Sequence, residues 1–324
     1  MNARGKLRVA VLDDYQGVAQ RCGPWSRVAD EVEVTSFSDH LHDRTALIER
    51  LQAFDIVCLM RERTAFDAGI IDALPRLKLI VSTAMWNAVL DSAHAVSRGI
   101  CVSGTDSAGN GTPELTWLLL LAYARHFREE TTSVRSGGWM TGLGMDLQGS
   151  TLGILGLGYI GARVAKVANA FGMRVLAHSQ NLTAERASAA GATLVSKAEL
   201  MSQSDFITIH LKLSARTRCF VGAAELALMK PRGFLINTSR GQLVDEPAVI
   251  DALRAQRIGG FGVDAYDIEP LPVDHPFRTL PNVIATPHVG YVTERAYQLF
   301  YEQIVDDIRA WLDGRPVRLM GLAP

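Results

Sequence analysis

Three glycines with fixed spacing are the residues that point most directly to chemistry. Gly156, Gly158 and Gly161 follow the apolar run 152–155 and lead into a helix-like segment, 162–171. In such a strand, turn and helix, the first glycine permits a tight turn and the second lets backbone amides approach a pyrophosphate. The third lets helix and strand pack closely. Amides at the helix N-terminus then favour a negative charge. A tight turn without any ligand is the alternative.

The predicted dinucleotide site also includes Tyr159 and Ile160, which lie between the second and third glycines. About 20 residues downstream, such sites usually carry an acid that binds the ribose hydroxyls. This chain has Ser179, Gln180 and Asn181 at that point instead. Without a carboxylate a 2′-phosphate is tolerated, and these three side chains can hydrogen-bond it, although no arginine lies directly there in the sequence. We expect NAD and NADP both to bind, with a preference for NADP.

Three further polar residues each lie just after or near a predicted strand downstream of the glycines. They are Arg240, Glu269 and His288. The carboxyl ends of the strands of a doubly wound sheet open on the ligand crevice. We therefore expect the three side chains to converge there, although each one taken singly has a structural alternative.

Strand-like and helix-like segments alternate along the chain, as expected of parallel α/β sheets. The 324 residues suggest two domains at about 150 residues each. The predicted strands of the first series are 9–12, 32–35, 56–59, 79–81 and 100–102. Those of the second series are 152–155, 174–177, 205–210, 233–237, 260–264 and 283–286. Six strands are the content of a full dinucleotide-binding sheet.

Three segments outside these strands have distinctive patterns. Thr112, Pro113 and Glu114 predict an N-cap, a first helical residue and an acidic first turn. The helix that follows is apolar on nearly every face, which indicates burial between domains or subunits. The Gly-rich stretch 136–149 predicts no regular element. The last periodic segment, 295–312, predicts a helix that packs back on the first domain.

Composition excludes several classes of protein. Lys and Arg total 33 against 34 Asp and Glu, so no overall field attracts nucleic acid. The four cysteines are far apart, which argues against a zinc cluster or a disulfide framework and favours a reducing compartment. The histidines outside the predicted site have no ligand spacing, so we expect no metal. The longest apolar stretch, 115–124, is about half of the ~20 residues that cross a bilayer. With a polar N-terminus and no visible signal peptide, the expected location is cytoplasmic, without a membrane partner.

The glycine motif and the Arg, Glu and His motifs, in this order, resemble those of the D-isomer-specific 2-hydroxyacid dehydrogenase family. The resemblance implies a flavodoxin-like substrate domain interrupted by a Rossmann cofactor-binding domain. The implied boundaries are 1–108 plus 292–324 for the substrate domain and 109–291 for the cofactor domain.

The resemblance also implies roles for the three polar residues. Arg240 would bind the carboxylate and keto oxygen of a 2-oxo acid, for which a planar, permanently charged guanidinium is suited. His288 would be the general acid in reduction, since histidine can titrate near neutrality. Glu269 would favour the protonated imidazole and orient its ring.

Other positions follow from the resemblance. Asp264 would contact the nicotinamide carboxamide, and His210, Thr238 and Gly290 would face the cofactor; a structural role is the alternative for His210. The loop after the fourth strand departs from the family because side chains replace glycines, and the substrate-binding residues there are Ala84, Met85 and Trp86. Trp86 is either an apolar wall of the pocket or a core residue.

The implied function is reduction of a small 2-oxo acid of the glyoxylate or hydroxypyruvate type, with NADP or NAD. The alternative is a dinucleotide-binding corepressor-like protein without significant turnover. Family members are generally homodimers, and the apolar helix over 115–123 agrees with a homodimer.

Overall fold

The structure, a computed structural model, describes residues 5–321. Residues 1–4 and 322–324, which belong to the predicted polar N-terminus and to the chain's last segment, lie outside the described residues. The chain divides into two compact units. One contains the residues up to Ala108 and those from Thr293 onward, and the other contains Gly109–Val292.

The first unit is built on a five-stranded parallel sheet. Its strands are β1 (Leu7–Val11), β2 (Val32–Ser36), β3 (Ile56–Leu59), β4 (Leu79–Ser82) and β5 (Cys101–Gly104). Its helices are α1 (Ala19–Cys22), α2 (Arg44–Leu51), α3 (Ala68–Asp72), α4 (Ser92–Ser97) and α12 (Glu294–Leu312). The strand order is β2-β1-β3-β4-β5, the flavodoxin-like order.

Local sequence explains these elements. Every residue of β3 and β4 is buried, as expected for apolar strands covered on both faces. Asp43, Asp67 and Asp91 each accept a hydrogen bond from a backbone N–H in the first turn of α2, α3 and α4, respectively. These caps satisfy amides that the helix itself leaves unpaired and therefore set where each helix begins.

The C-terminal segment is tied to the same unit by a buried acidic side chain. Asp307, on α12, is fully buried, and its Oδ1 lies 2.8 Å from Arg318 Nη2. The backbone of this segment runs along β5, where Gly104 N–H donates to Arg318 O at 2.9 Å and Met320 N–H donates to Val102 O at 2.8 Å. The tail thus covers an edge of the sheet.

The second unit is built on a seven-stranded parallel sheet with the order β12-β11-β10-β9-β6-β7-β8. Its strands are β6 (Thr151–Leu155), β7 (Arg174–His178), β8 (Thr193–Leu194), β9 (Phe206–Ile209), β10 (Phe234–Asn237), β11 (Gly260–Val263) and β12 (Val283–Ala285). Its helices are α5 (Gly111–Ala124), α6 (Phe127–Arg135), α7 (Tyr159–Ala170), α8 (Ala184–Ala189), α9 (Lys197–Gln203), α10 (Ala223–Leu228) and α11 (Glu246–Arg254).

The strand order of this unit creates a crevice. The chain runs outward from β6 through β7 to β8, then crosses back to β9 on the other side of β6. Ligands of open parallel sheets bind at the carboxyl ends of the strands where the order reverses. The loops after β6, β7, β9, β10, β11 and β12 therefore define the functional edge of this unit.

The predicted fold of two parallel α/β sheets is confirmed, with local corrections. The two-residue strand β8 was not predicted, because so short a segment has no detectable period. The predicted N-cap at Thr112 is wrong: α5 begins at Gly111, and the Thr112 hydroxyl donates to Gly290 O at 3.3 Å instead. Leu118 of α5 is 55% exposed in the single chain, so the burial of this helix between domains or subunits stays a prediction.

Two features are missing from residues 5–321. None of the helices there is both long and apolar enough to cross a bilayer. No three His, Cys, Asp or Glu side chains of this part of the chain are grouped so that they could hold a metal ion.

Asp307 makes the stability of the fold depend on pH. Burial raises its pKa to about 7, nearby Arg318 offsets part of this effect, and Asp306 and Asp106 add to it. The unfolded carboxyl has a pKa of about 3.9. The contribution of the protonated carboxyl to stability is therefore complete below that value and is lost as pH rises through about 7.

We expect Asp307→Asn to flatten this dependence, because an amide has no proton to lose. Urea denaturation at several pH values should show the variant gaining stability relative to the parent between about pH 5 and about pH 8. The exposed Asp30→Asn is the control. A constant difference between Asp307→Asn and the parent over this range would contradict the prediction.

Candidate active site

The structure brings together the histidine and the glutamate that the sequence singled out. Glu269 follows β11, His288 follows β12, and His288 Nδ1 lies 2.6 Å from Glu269 Oε2. The other carboxylate oxygen, Oε1, accepts from the Tyr266 backbone N–H at 2.9 Å. Both side chains keep some access to solvent, with 22% of His288 and 28% of Glu269 exposed. The two side chains are thus held in place by hydrogen bonds and remain partly accessible to solvent.

The charge state of Glu269 determines which ring nitrogen of His288 carries the hydrogen in their contact. Burial raises the pKa of Glu269, but the hydrogen bond with His288, the charges of His288 and Arg240 and the Tyr266 N–H outweigh it and hold that pKa below its usual value. An ionised carboxylate can only accept a hydrogen bond, so Nδ1 carries the hydrogen. Nε2 is then the ring atom that can exchange a proton with a ligand.

Arg240 is positioned by the loop after β10. Asn237 Nδ2 donates to Arg240 O at 2.8 Å, and Arg240 Nη1 donates to Ser239 O at 2.7 Å. The next residue is a glycine for a steric reason: a Cβ on Gly241 would lie 2.2 Å from the carbonyl carbon of Tyr266. This contact places the Arg240 loop against the loop that carries Glu269, which agrees with the effect of the Arg240 charge on that carboxyl.

Asp264 anchors the turn that carries His288. Its Oδ1 accepts from Thr286 Oγ1 at 2.7 Å and from Val289 N–H at 2.8 Å, and its Oδ2 accepts from Gly290 N–H at 2.8 Å. Only 1% of Asp264 is exposed. Burial raises the pKa of Asp264, and the hydrogen bonds and the His288 charge offset this only in part. That Asp264 contacts the nicotinamide carboxamide stays a prediction.

Sequence reasoning missed two aromatic residues beside the dyad. The buried Tyr266 hydroxyl donates to Thr286 O at 2.8 Å, and burial raises its pKa, so it stays protonated. The Tyr291 ring meets the His288 ring edge-on, with centroids 5.5 Å apart. Proximity in sequence to Glu269 and His288 was the only available signal for either residue.

The glycine turn fits the phosphates of a dinucleotide. Gly156 has φ +101°, and a Cβ there would lie 2.6 Å from His210 O. A Cβ on Gly161 would lie 2.3 Å from Gly156 O, whereas one on Gly158 would meet nothing within 4 Å. The first and third glycines therefore allow close packing, and the second leaves open space at the N-terminus of α7. Tyr159 is 62% exposed there, and Ile160 packs towards the core.

His210 and Thr238 lie directly after β9 and β10. Burial lowers the pKa of His210 to about 3, so its ring is neutral. Its Nε2 is 2.8 Å from Thr208 Oγ1, and its buried Nδ1 has no hydrogen-bond partner among the described residues. The Thr238 and Thr116 hydroxyls are 3.0 Å apart. Whether His210, Thr238 and Gly290 face the cofactor stays a prediction.

Two arginines contact residues that follow β7, although none lies directly at the strand end in the sequence. Arg216 Nη1 donates to Gln180 Oε1 at 2.5 Å across a sequence separation of 36 residues. Arg186 Nη1 donates to Asn181 O at 3.3 Å. Ser179 Oγ accepts from the Leu157 N–H at 3.0 Å and so joins the strand end to the glycine turn.

In the first unit, the loop after β4 takes a glycine-like conformation without glycine. Ala84 has φ +83°, and its N–H donates to Thr105 Oγ1 at 3.0 Å. Met85 and Trp86 are 44% and 61% exposed. The interpretation of Trp86 as a core residue is therefore wrong, while its role as a pocket wall stays a prediction.

Taken together, the glycine turn at the reversal of strand order and the polar residues after β10, β11 and β12 define a dinucleotide-binding α/β protein. A family model described as "D-isomer specific 2-hydroxyacid dehydrogenase, NAD binding domain" matches residues 117–290.

Individual proteins agree with this match over most of their length. Glyoxylate reductase of Thermococcus onnurineus (strain NA1) is 35% identical over 295 residues, 88% of this chain and 87% of that protein. Glycerate dehydrogenase of Methylorubrum extorquens is 37% identical over 285 residues, 83% and 86% of the two chains. The crystal structure of phosphoglycerate oxidoreductase from Vibrio cholerae o395 has a TM-score of 0.90 at 34% identity, covering 95% of this chain and 99% of that one.

The chain belongs to the D-isomer-specific 2-hydroxyacid dehydrogenase family, which confirms the resemblance inferred from its motifs. It is an enzyme of that class and carries a nicotinamide-dinucleotide-binding domain.

We expect Asp264→Asn to destabilise the second unit. The amide nitrogen of asparagine cannot accept a hydrogen bond, so at least one donor in the 286–290 turn loses its acceptor. A buried donor without a partner costs about 1–3 kcal/mol. Urea denaturation should show this loss, whereas the exposed Asp251→Asn should change the free energy of unfolding by less than about 0.5 kcal/mol. Equal stability of the two variants would contradict the anchoring role of Asp264.

Proposed function

We propose that the protein reduces a small 2-oxo acid to the D-2-hydroxy acid, with NADP or NAD as cofactor. The observation that carries this proposal is the 2.6 Å contact between His288 and Glu269 at the functional edge of a dinucleotide-binding sheet. The relatives named glyoxylate reductase and glycerate dehydrogenase support a substrate of the glyoxylate or hydroxypyruvate type.

The three polar side chains divide the chemistry between them. The reduced nicotinamide, when bound, supplies the hydride that reaches the carbonyl carbon. His288 holds a proton at Nε2 and gives it to the carbonyl oxygen as general acid, which is worth ~10²–10⁴-fold in rate. Glu269 keeps the ring oriented by accepting from Nδ1–H. Arg240 binds the substrate carboxylate and keto oxygen through its fork of donors.

The cofactor site that we propose joins the glycine turn to the loops beside it. The turn of Gly156, Gly158 and Gly161, with Tyr159 and Ile160, takes the pyrophosphate. The remaining cofactor residues are His210, Thr238, Asp264 and Gly290 and, at the end of β7, Ser179, Gln180 and Asn181. Since no carboxylate ends β7, both cofactors should work and NADPH should work better.

The first unit would supply the substrate-binding domain. In this proposal residues 1–108 plus 292–324 form that domain and 109–291 form the cofactor domain. The Ala84–Trp86 loop contacts the substrate, and its backbone conformation leaves the exposed side chains of Met85 and Trp86 as candidates for an apolar wall.

The assay that tests this function is oxidation of NADPH or NADH with a panel of 2-oxo acids that includes glyoxylate, hydroxypyruvate and pyruvate. Steady turnover with one of them supports the proposal. Dinucleotide binding without turnover of any member would contradict it and favour a corepressor-like protein instead.

We expect His288→Ala to lower kcat by at least ~10²-fold, because the general acid is removed. Far-UV circular dichroism and dinucleotide affinity should stay close to those of the parent. His94→Ala, which removes a partly exposed histidine of the first unit that pairs with Asp72, is the matched control and should retain activity. Near-normal turnover of His288→Ala would remove His288 from the acid role.

We also propose a homodimer, formed through the second unit. Large apolar side chains are exposed over the 118–143 surface, namely Leu118, Phe127, Val134, Trp139, Met140 and Leu143. Such a concentration of exposed apolar residues is typical of an interface. A second copy is the occupant that we propose, as is general for this family.

Light scattering should give twice the mass of one chain. We expect the double change Trp139→Ser and Leu143→Ser to shift the protein towards monomer, because both side chains are more than 70% exposed in the single chain. Val273→Ser removes an equally exposed apolar side chain outside this surface and should leave the dimer intact. A monomeric parent protein would contradict the proposal.

The cytoplasmic location and the absence of nucleic-acid and membrane partners stay predictions.

A further inference from the structure

The end of β7 has the features of a phosphate subsite that the local sequence does not reveal. We propose that Arg216, held in place by Thr217, recognises the 2′-phosphate of NADPH and sets the cofactor preference of the enzyme. The inference rests on the proposed nicotinamide-dependent function and names the residue behind its preference for NADPH.

Arg216 reaches the site through the fold. It lies in the loop between β9 and α10, and its Nη1 donates to Gln180 Oε1 at 2.5 Å. Gln180 is the second residue after β7, in the 179–181 segment where NAD-binding sheets usually carry an acid for the ribose hydroxyls. A guanidinium has five N–H donors. One of these donors orients the side chain by donating to Gln180, and the guanidinium has further N–H donors for phosphate oxygens.

Further groups at the same strand end suit a phosphate. Arg186 Nη1 donates to Asn181 O at 3.3 Å, which places a second positive charge next to the end of β7. The Ser179 hydroxyl accepts from the Leu157 N–H and can still donate its own hydrogen to a ligand. Hydrogen bonds between a guanidinium and a phosphate are charge-assisted and stronger than neutral ones. The neutral 2′-hydroxyl of NADH would gain little from these groups.

A turn closed by Thr217 holds Arg216 at its tip. The Thr217 hydroxyl accepts from Ser214 N–H at 2.8 Å and donates to Lys212 O at 2.7 Å. Thr217 N–H and Arg218 N–H both donate to Ser214 O, at 3.1 Å and 3.0 Å. These bonds close a turn over residues 212–218, and Arg216 reaches Gln180 from that turn. Thr217 is therefore a positioning residue.

Arg218 provides a matched control on the same loop. It is also an exposed arginine, but its charge acts on Asp267. Burial and Glu246 raise the pKa of that carboxyl, and Arg218 lowers it in part. Removing Arg218 changes the net charge of the loop as much as removing Arg216 does. A general electrostatic effect would thus affect both variants, whereas a specific contact would affect only Arg216→Ala.

The experiment measures binding without catalysis. Isothermal titration calorimetry of the full chain is carried out with NADPH, NADH, adenosine 2′,5′-bisphosphate and AMP. For the parent we expect NADPH to bind more tightly than NADH, and the bisphosphate more tightly than AMP. Arg216→Ala should lower the affinity for the two ligands with a 2′-phosphate by about tenfold or more. It should change the affinities for NADH and AMP by less than about twofold. Retained binding of these two ligands also shows that the variant is folded.

Two further variants test the geometry. Thr217→Val should lower the affinities for NADPH and the bisphosphate selectively, because the turn loses the hydrogen bonds of the hydroxyl. Thr217→Ser, which keeps a hydroxyl, should restore these affinities. Gln180→Glu should reverse the preference to NADH, since a carboxylate pairs with Arg216 and repels the phosphate. Higher ionic strength should weaken NADPH binding by the parent more than by Arg216→Ala.

The outcomes separate this inference from the proposed function. The inference is overturned if Arg216→Ala lowers the affinities for all four ligands equally. It is also overturned if the ratio of NADPH to NADH affinity stays within twofold of that of the parent. The same holds if Arg218→Ala reproduces the selective loss. If the bisphosphate binds through Arg216 but no 2-oxo acid is turned over in the panel assay, the reductase function fails while the phosphate subsite stands.

Discussion

His288 lies in a backbone conformation that a residue with a side chain rarely adopts, with φ +53°, and a buried carboxylate holds it there. Asp264 accepts hydrogen bonds from the residues on both sides of His288, which fixes the turn that this conformation requires. Glu269 then fixes the ring. Because strain of this kind persists only when the surroundings enforce it, the site depends on Asp264 as much as on the residues that meet a ligand.

A second constraint is the close approach of backbone segments around the glycine turn. Gly156 packs on the carbonyl of His210, so the turn after β6 lies in close contact with the residue that follows β9. Gly241 packs in the same way on the Tyr266 loop. These two contacts join the loop after β6 to that after β9 and the loop after β10 to that after β11, and Ser239 Oγ links the two pairs by donating to Ile209 O at 2.8 Å. Gly158, where an added Cβ would meet nothing within 4 Å, leaves open space at this same edge of the sheet.

Sequence reasoning was most successful where a feature depends on neighbours along the chain. The six predicted strands of the second series are present, α12 lies within one residue of its predicted bounds, and the Gly-rich stretch has no regular element. Each depends on a local period or on turn residues that survive in any tertiary context. The motifs for Glu269 and His288 also marked the correct strand ends, and the contact between the two side chains follows from parallel strands ending at one edge.

The sequence by itself therefore determined the alternation of strands and helices, the glycine turn and the family. Tertiary structure alone decided that Arg216 meets Gln180, that Asp264 supports the His288 turn, that Thr112 bonds to Gly290 rather than capping α5, and that Trp86 is exposed. The physical reason is distance along the chain. A hydrogen bond between residues 20 to 180 positions apart depends on strand order and loop path, neither of which leaves a periodic signal in the residues themselves.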